Sequence, residues 1–151
     1  MPNVLEQTAQ IYGNPSRDEV IDMLFRAVEN SVGAGKPGAE ALQAMKVAAI
    51  EREKTSSTFL GRGLAVPHGR TEALSEICIA VGVSEDGILW PNEKSRAHLI
   101  LLLGVPAPMI RDYLLLMQKI LRWHRDTKTL EPDGRVRNVA ALVRELKALV
   151  A

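Results

Sequence analysis

The sequence predicts one α/β domain, a mixed β-sheet flanked by helices on both faces. Three observations lead there. The chain has 151 residues, 46% of them hydrophobic, enough for a sizeable core without staples. Two runs, Ile77–Val83 and Ala97–Val105, are continuously apolar and rich in β-formers, as expected of strands covered on both sides. Two amphipathic helical patterns precede these runs and two follow or overlap their end, an order that builds a layered domain. Because strands and helices do not alternate strictly, a mixed sheet is expected rather than a parallel one. The domain is expected to span residues 16–151, behind an N-terminal extension of residues 1–15.

The first helix starts at Ser16, with Glu19 three residues on, the signature of a capping box. Val20, Leu24, Ala27 and Val28 supply its apolar stripe, and it ends near Gly33. Gly33-Ala34-Gly35-Lys36-Pro37-Gly38 reads as a loop. A second helix is expected from Ala39 to Glu51, on Leu42, Met45, Ala49 and Ile50. Small polar residues then fill Lys54–Gly63, and Leu64-Ala65-Val66 is a short strand stopped by Pro67. After the two long runs, Pro108 sits in the first turn of a third helix. Its expected stripe is Ile110, Tyr113, Leu114, Met117, Ile120 and Leu121. A polar turn follows at Thr129–Gly134, and Asn138 caps a last helix carrying Val139, Leu142, Leu146 and Leu149.

Composition excludes several functions. Nineteen basic and eighteen acidic residues leave a net charge of +1, which argues against a nucleic-acid grip or attachment to an anionic membrane. The one cysteine, Cys78, rules out an intrachain disulfide framework and suits a reducing cytoplasm. It reads as a small buried hydrophobe. The segment MPNVLEQTAQ lacks the pattern of a secretory leader. Leu99–Ile110, the longest apolar stretch, is broken by Gly104, Pro106 and Pro108 and is shorter than the roughly 20 residues a bilayer span needs. A cytoplasmic protein is the expectation.

Some apparent motifs fail. Gly35-Lys36 is followed by Pro37, and the first glycine of a P-loop would fall on Asn30. His68, His98 and His124 lie on different elements without metal-ligand spacing, so no metal site is expected. Ser56 and Ser57 lack a nucleophile elbow. His98 reads as a satisfied core or edge histidine, Trp90 as a loop anchor, and His124 as positive charge at a helix C-terminus.

The informative stretch is Arg52–Arg70. Pro67 fixes its own φ and holds Val66 extended, which delivers His68 to a strand end at the sheet rim. Gly69 leaves the next peptide open to approach by a ligand or a second protein. A neutral imidazole is a capable nucleophile near pH 7, since its ordinary pKa is about 6.5. A phosphoryl group under transfer needs donors for its three oxygens. Arg52, Thr58, Arg70 and the Gly61–Gly63 loop supply those donor types. A surface histidine in an ordinary turn is the alternative reading of the same residues.

The residues Arg52-Glu53-Lys54, Ser57-Thr58 and Gly61-x-Gly63-Leu64-Ala65-Val66-Pro67-His68-Gly69-Arg70 closely resemble the active-site signature of the fructose/mannitol-type enzyme IIA domain. That domain belongs to the phosphoenolpyruvate-dependent phosphotransferase system and includes a nitrogen-regulatory branch. Ala97–Leu103 with Pro106, and Tyr113-Leu114 through Leu121, resemble the family's late strand and long helix. The resemblance covers about residues 16–150. It implies a mixed sheet between helices and a phosphoryl-accepting histidine at His68. Arg52 and Thr58 would match motif positions beside it, with Gly69, Arg70 and Tyr113 in supporting places, and neither metal nor organic cofactor would be used. The donor would be the small carrier HPr or its nitrogen-branch counterpart. The onward partner would be a IIB domain, or a regulated kinase or transporter. The chain departs from the family at one site residue: where many members carry a second histidine, it has Tyr113. A phenol donates a hydrogen bond without positive charge, which favours a regulatory phosphoprotein over a sugar-specific carrier or a domain that has lost transfer.

Overall fold

A computed structural model describes residues 2–32 and 39–151. The loop expected at 33–38 lies outside the described residues. The elements are β1 (Asn3–Val4), β2 (Ala9–Gln10), α1 (Arg17–Val32), α2 (Ala39–Thr55), β3 (Leu64–Ala65), β4 (His68–Thr71), β5 (Cys78–Leu89), β6 (Arg96–Pro106), α3 (Ile110–Asp126) and α4 (Val139–Val150). The α/β expectation holds, and the sheet is mixed.

At the centre is the antiparallel pair β5–β6, in which Val81 faces Leu101. Each of its outer sides takes a parallel lane made in two pieces. β1 and β2 follow one another along β5, so residues 3–10 contribute to the sheet. β3 and β4 follow one another along β6, pairing Leu64 with Leu99 and His68 with Leu103. Pro67 divides the second lane because it has no N–H to donate. Its carbonyl still accepts from Leu103 N at 3.0 Å, so the two pieces stay in line along β6. This edge lane carries the histidine.

Alternate residues of β5 and β6 serve opposite layers. Ala80, Ile100 and Leu102 pack with Val20, Leu24 and Phe25 of α1 and Met45 of α2. Ile79, Val81, Leu99, Leu101 and Leu103 pack with Leu116 and Ile120 of α3 and Leu142 and Leu146 of α4. Both faces are therefore covered, as the continuous apolar runs require.

The predicted caps form. Ser16 N donates to Glu19 Oε1 and Glu19 N to Ser16 Oγ, each at 3.1 Å. Ala141 N donates to Asn138 Oδ1 at 2.9 Å. α2 runs one turn beyond its predicted end, so Arg52 and Glu53 are helical.

On α3 the predicted stripe is only partly right. Leu116, Ile120 and His124 form the buried seam, while Ile110, Leu114, Leu115 and Leu121 remain exposed. Among the described residues no helix is long and apolar enough to cross a membrane.

Candidate functional site

His68 opens β4 at the sheet edge and is half-buried. The Val66–Pro67 break sets its position: Val66 O lies 3.4 Å from His68 Nδ1. A ring carrying its proton on Nδ1 would use that contact and keep its lone pair on Nε2. From α3, the Tyr113 hydroxyl sits 3.3 Å from both Nδ1 and Nε2. The two rings lie 4.8 Å apart with a 35° tilt. A hydroxyl spanning both nitrogens favours neither, and it can turn towards a group bound on either one.

Charge reaches the imidazole from the end of α2. Burial is the main cause that lowers the His68 pKa below its ordinary 6.5; the Val66 carbonyl raises it, the Arg52 cation lowers it and the Glu53 anion raises it. Arg52 also acts on the Tyr113 phenol, whose pKa is raised chiefly by burial and lowered in part by that cation. Arg52 is thus electrostatically close to both rings. Its guanidinium donates to Ser56 O at 2.8 Å, which folds it over the helix end.

A histidine with a folded pKa below 6.5 stays neutral in the fold where the unfolded chain already binds a proton. Stability from this group is complete above 6.5 and is lost as pH falls through the folded value. His124 shifts the same way, first through burial. Proton NMR titration is expected to place both midpoints below 6.5, with folding stability falling as pH is lowered across that window. A His68 midpoint at or above 6.5 would contradict the reading.

The other residues named from sequence have different surroundings. Thr58 is buried, and its hydroxyl bonds to Glu53 Oε1 while its N–H donates to Glu53 Oε2 at 3.1 Å. The carboxylate is acceptor-only, so the Thr58 proton is committed there rather than free for a phosphoryl oxygen.

Gly69 was expected to admit a ligand or second protein. The neighbour in its Cβ space is α2 itself: an added Cβ would overlap the Met45 carbonyl oxygen and lie 2.9 Å from Met45 Cγ. The close approach is internal. Arg70 is exposed and donates to Ala107 O at 3.3 Å, in the connection leading to α3. That bond directs it to the loop rather than to the ring.

Sequence reasoning missed Glu53. It is 3% exposed and also accepts from Trp90 Nε1 at 3.2 Å, which makes Trp90 the anchor expected. A usable signal existed: Leu42, Met45, Ala49 and Glu53 are the buried residues of α2, and Glu53 continues the stripe at i+4.

The remaining candidates are structural. His98 is buried with Nδ1 2.9 Å from Ser84 O. The Cys78 thiol is buried, and burial pushes its pKa up to about 11. His124 was expected to place charge at the α3 C-terminus. It is buried instead, with Nε2 3.1 Å from Arg62 O, and the cation there is Arg62. Among the described residues no cluster of His, Cys, Asp or Glu could hold a metal.

A fructose-specific EIIABC component of Bacillus subtilis is 34% identical over 89 residues, 58% of this chain and 13% of that protein, so the chain spans a small part of its length. A fructose-specific EIIA component of Haloferax volcanii is 32% identical over 105 residues, 65% of this chain and 68% of that protein. Among solved structures, the nitrogen regulatory protein IIA-Ntr of Neisseria meningitidis superposes with a TM-score of 0.73 at 19% identity, covering 95% of this chain and 92% of that one. Enzyme IIA mannitol of Escherichia coli, solved in complex with phosphorylated enzyme IIB mannitol, superposes at 0.68 and 16% identity, covering 97% and 94%. These two share the fold. Residues 7–147 match the family described as phosphoenolpyruvate-dependent sugar phosphotransferase system, EIIA 2, and the chain belongs to that family.

Proposed function

We propose that this protein is a regulatory phosphohistidine protein of the phosphotransferase system, of the nitrogen-regulatory type, with His68 as phosphoryl acceptor. The observation that carries the reading is the half-buried imidazole held between Val66 O and the Tyr113 hydroxyl, with the Arg52 cation close by. In the proposed step the Nε2 lone pair attacks the phosphorus of a phosphohistidine on an HPr-like carrier. The N–P bond of the donor breaks, and its electron pair returns to the donor imidazole. Arg52 offsets the charge spread over the phosphoryl oxygens, and Tyr113 donates to one of them. Thr58 serves by holding the end of α2 through Glu53, Gly69 by letting α2 lie close on β4 at Met45, and Arg70 by fixing the approach to α3. The exposed apolar side chains Ile110, Leu114 and Leu115 lie on the same helix as Tyr113. They suit a protein donor better than a small molecule.

The regulatory reading is favoured by Tyr113, which gives the phosphoryl group a neutral donor where a histidine would add a cation. Phosphorylation adds about −1.5 to −2 charges, enough to change binding to a kinase or transporter in the cytoplasm. The relatives named as fructose-specific components support a second reading, a sugar-specific IIA protein that passes its phosphoryl group to a IIB domain.

Incubation with phosphoenolpyruvate, enzyme I and HPr, or its nitrogen-branch counterpart, is expected to give an acid-labile mass gain of one phosphoryl group. His68→Ala should lose it completely. No gain with either donor would end both readings. Addition of IIB domains separates them: retention of the label supports regulation, and discharge supports sugar transfer. Under the regulatory reading, Tyr113→His is expected to gain discharge.

A further inference from the structure

Glu53 is a carboxylate buried without a cation: among the described residues no ion pair reaches it. Its charge is met by three donors, Thr58 N, Thr58 Oγ1 and Trp90 Nε1. Thr58 N and Trp90 Nε1 share one carboxylate oxygen, Oε2, and can only donate, while the Thr58 hydroxyl on Oε1 can turn and accept. The bonds continue towards the imidazole. The carbonyl of Thr58 accepts from Val66 N at 3.2 Å, and the carbonyl of Val66 faces His68 Nδ1. Trp90, fully buried at the end of β5, anchors the far end of this chain of contacts in the core.

We propose that Glu53 is a positioning residue that fixes the ring orientation and tautomer of His68 through Thr58 and Val66. The inference rests on the reading of His68 as acceptor, because only a defined tautomer keeps the Nε2 lone pair available. Glu53 touches neither the ring nor an incoming phosphoryl group and acts through the segment 58–66. Arg52 on α2 and Tyr113 on α3 are the other titratable groups facing the imidazole. Neither pulls on the Val66 carbonyl, so neither replaces Glu53 in setting it. Glu53 also adds a negative charge that raises the basicity of the ring.

The test is Glu53→Gln in the full chain, read by long-range proton–nitrogen NMR on histidine-labelled protein. In the unaltered protein the Nδ1–H tautomer is expected to dominate. In Glu53→Gln the amide oxygen keeps Thr58 N and Trp90 Nε1, the Thr58 hydroxyl turns to accept from the new NH2, and the negative charge that polarises the Thr58–Val66 path is lost. A second tautomer should appear, and the His68 midpoint should fall by about half a pH unit. The rate of phosphoryl uptake from phosphorylated HPr should fall about tenfold, the loss expected when a nucleophile is misaligned. If Glu53→Gln fails to fold, Trp90→Phe removes one donor to the same carboxylate, and a second tautomer is expected there also. An unchanged tautomer and midpoint in the folded variant would overturn the proposal. Failure of the unaltered protein to take up phosphoryl would overturn the reading of the site instead, and the NMR result on the ring would stand by itself.

Discussion

Gly69→Ala is expected to be among the most destabilising single-methyl additions this protein can receive. The added carbon would overlap the Met45 carbonyl oxygen and sit 2.9 Å from Met45 Cγ and 3.2 Å from its carbonyl carbon. Two of those three atoms are helix backbone, which cannot swing aside as a side-chain end does. Gly69 is held too, since β4 is bonded in register to β6, with Gly69 opposite Gly104. The strain is therefore expected to lift α2 off the sheet. Overpacking of this kind costs about 1–3 kcal/mol, and backbone contact places it at the upper end. For a chain of this size about 3 kcal/mol lowers the melting temperature by roughly 6–12 °C. The same displacement moves Arg52 and Glu53, which lie seven and eight residues beyond Met45 on α2. Phosphoryl uptake at low temperature, where the variant is still folded, should fall as well. Calorimetry and the mass assay measure the two effects. An unchanged melting temperature would mean that the α2–β4 contact is looser than the structure has it.

How far the fold could be read before the structure depended on where the specifying forces act. β5 and β6 are buried on both faces, so their own composition declares them. β4 is different: His-Gly-Arg-Thr has no apolar pattern, and it is a strand because β6 offers an open edge beside it. β1 and β2 have two residues each, too few for any periodicity to appear, and their pairing is likewise imposed by β5. On α3, Leu114 and Leu121 look like core residues by spacing, yet the helix buries a narrower seam centred on Leu116 and Ile120. Apolar spacing tells that a helix has such a face, not which part of it the sheet covers.

The site divides in the same manner. His68, Arg52 and Tyr113 were accessible from residue type and from the resemblance. Glu53 entered only as part of the resembling run, because a carboxylate between Arg52 and Lys54 reads as part of a solvated helix end, although it continues the stripe of Leu42, Met45 and Ala49. The partners that arrive from Trp90 and Thr58 show what holds it there. The sequence also suggested a phosphoryl donor at Thr58 and an open approach at Gly69. In the folded chain both residues face inward, towards α2. Sequence spacing gave the neighbourhood of the histidine; tertiary contact decided which neighbours point at it.

Arg62→Ala is expected to be the most costly loss of a surface-loop side chain. Arg62 lies in the turn between Gly61 and Gly63 with φ +43°. Its guanidinium donates to four carbonyls of the α3 end and the segment beyond: His124 O at 2.8 Å, Leu130 O at 2.8 Å, Thr127 O at 3.2 Å and Glu131 O at 3.3 Å. A cation there also meets the negative end of the helix. Packing leaves little room for water to take over, since Gly63 and Gly134 face each other so closely that a Cβ on Gly63 would lie 2.8 Å from Gly134 Cα. Hydrogen bonds to a charged group contribute about 1.5–3 kcal/mol each when partners are left unmet. Some of the four carbonyls will recover water, so a net loss of about 3 kcal/mol is expected. Urea unfolding of Arg62→Ala measures it, and Arg62→Lys is the control, because one ammonium cannot span four acceptors. Lysine should restore less than half of the loss. Full recovery by lysine would mean that charge alone, rather than the forked geometry of the guanidinium, ties the loop before β3 to the end of α3.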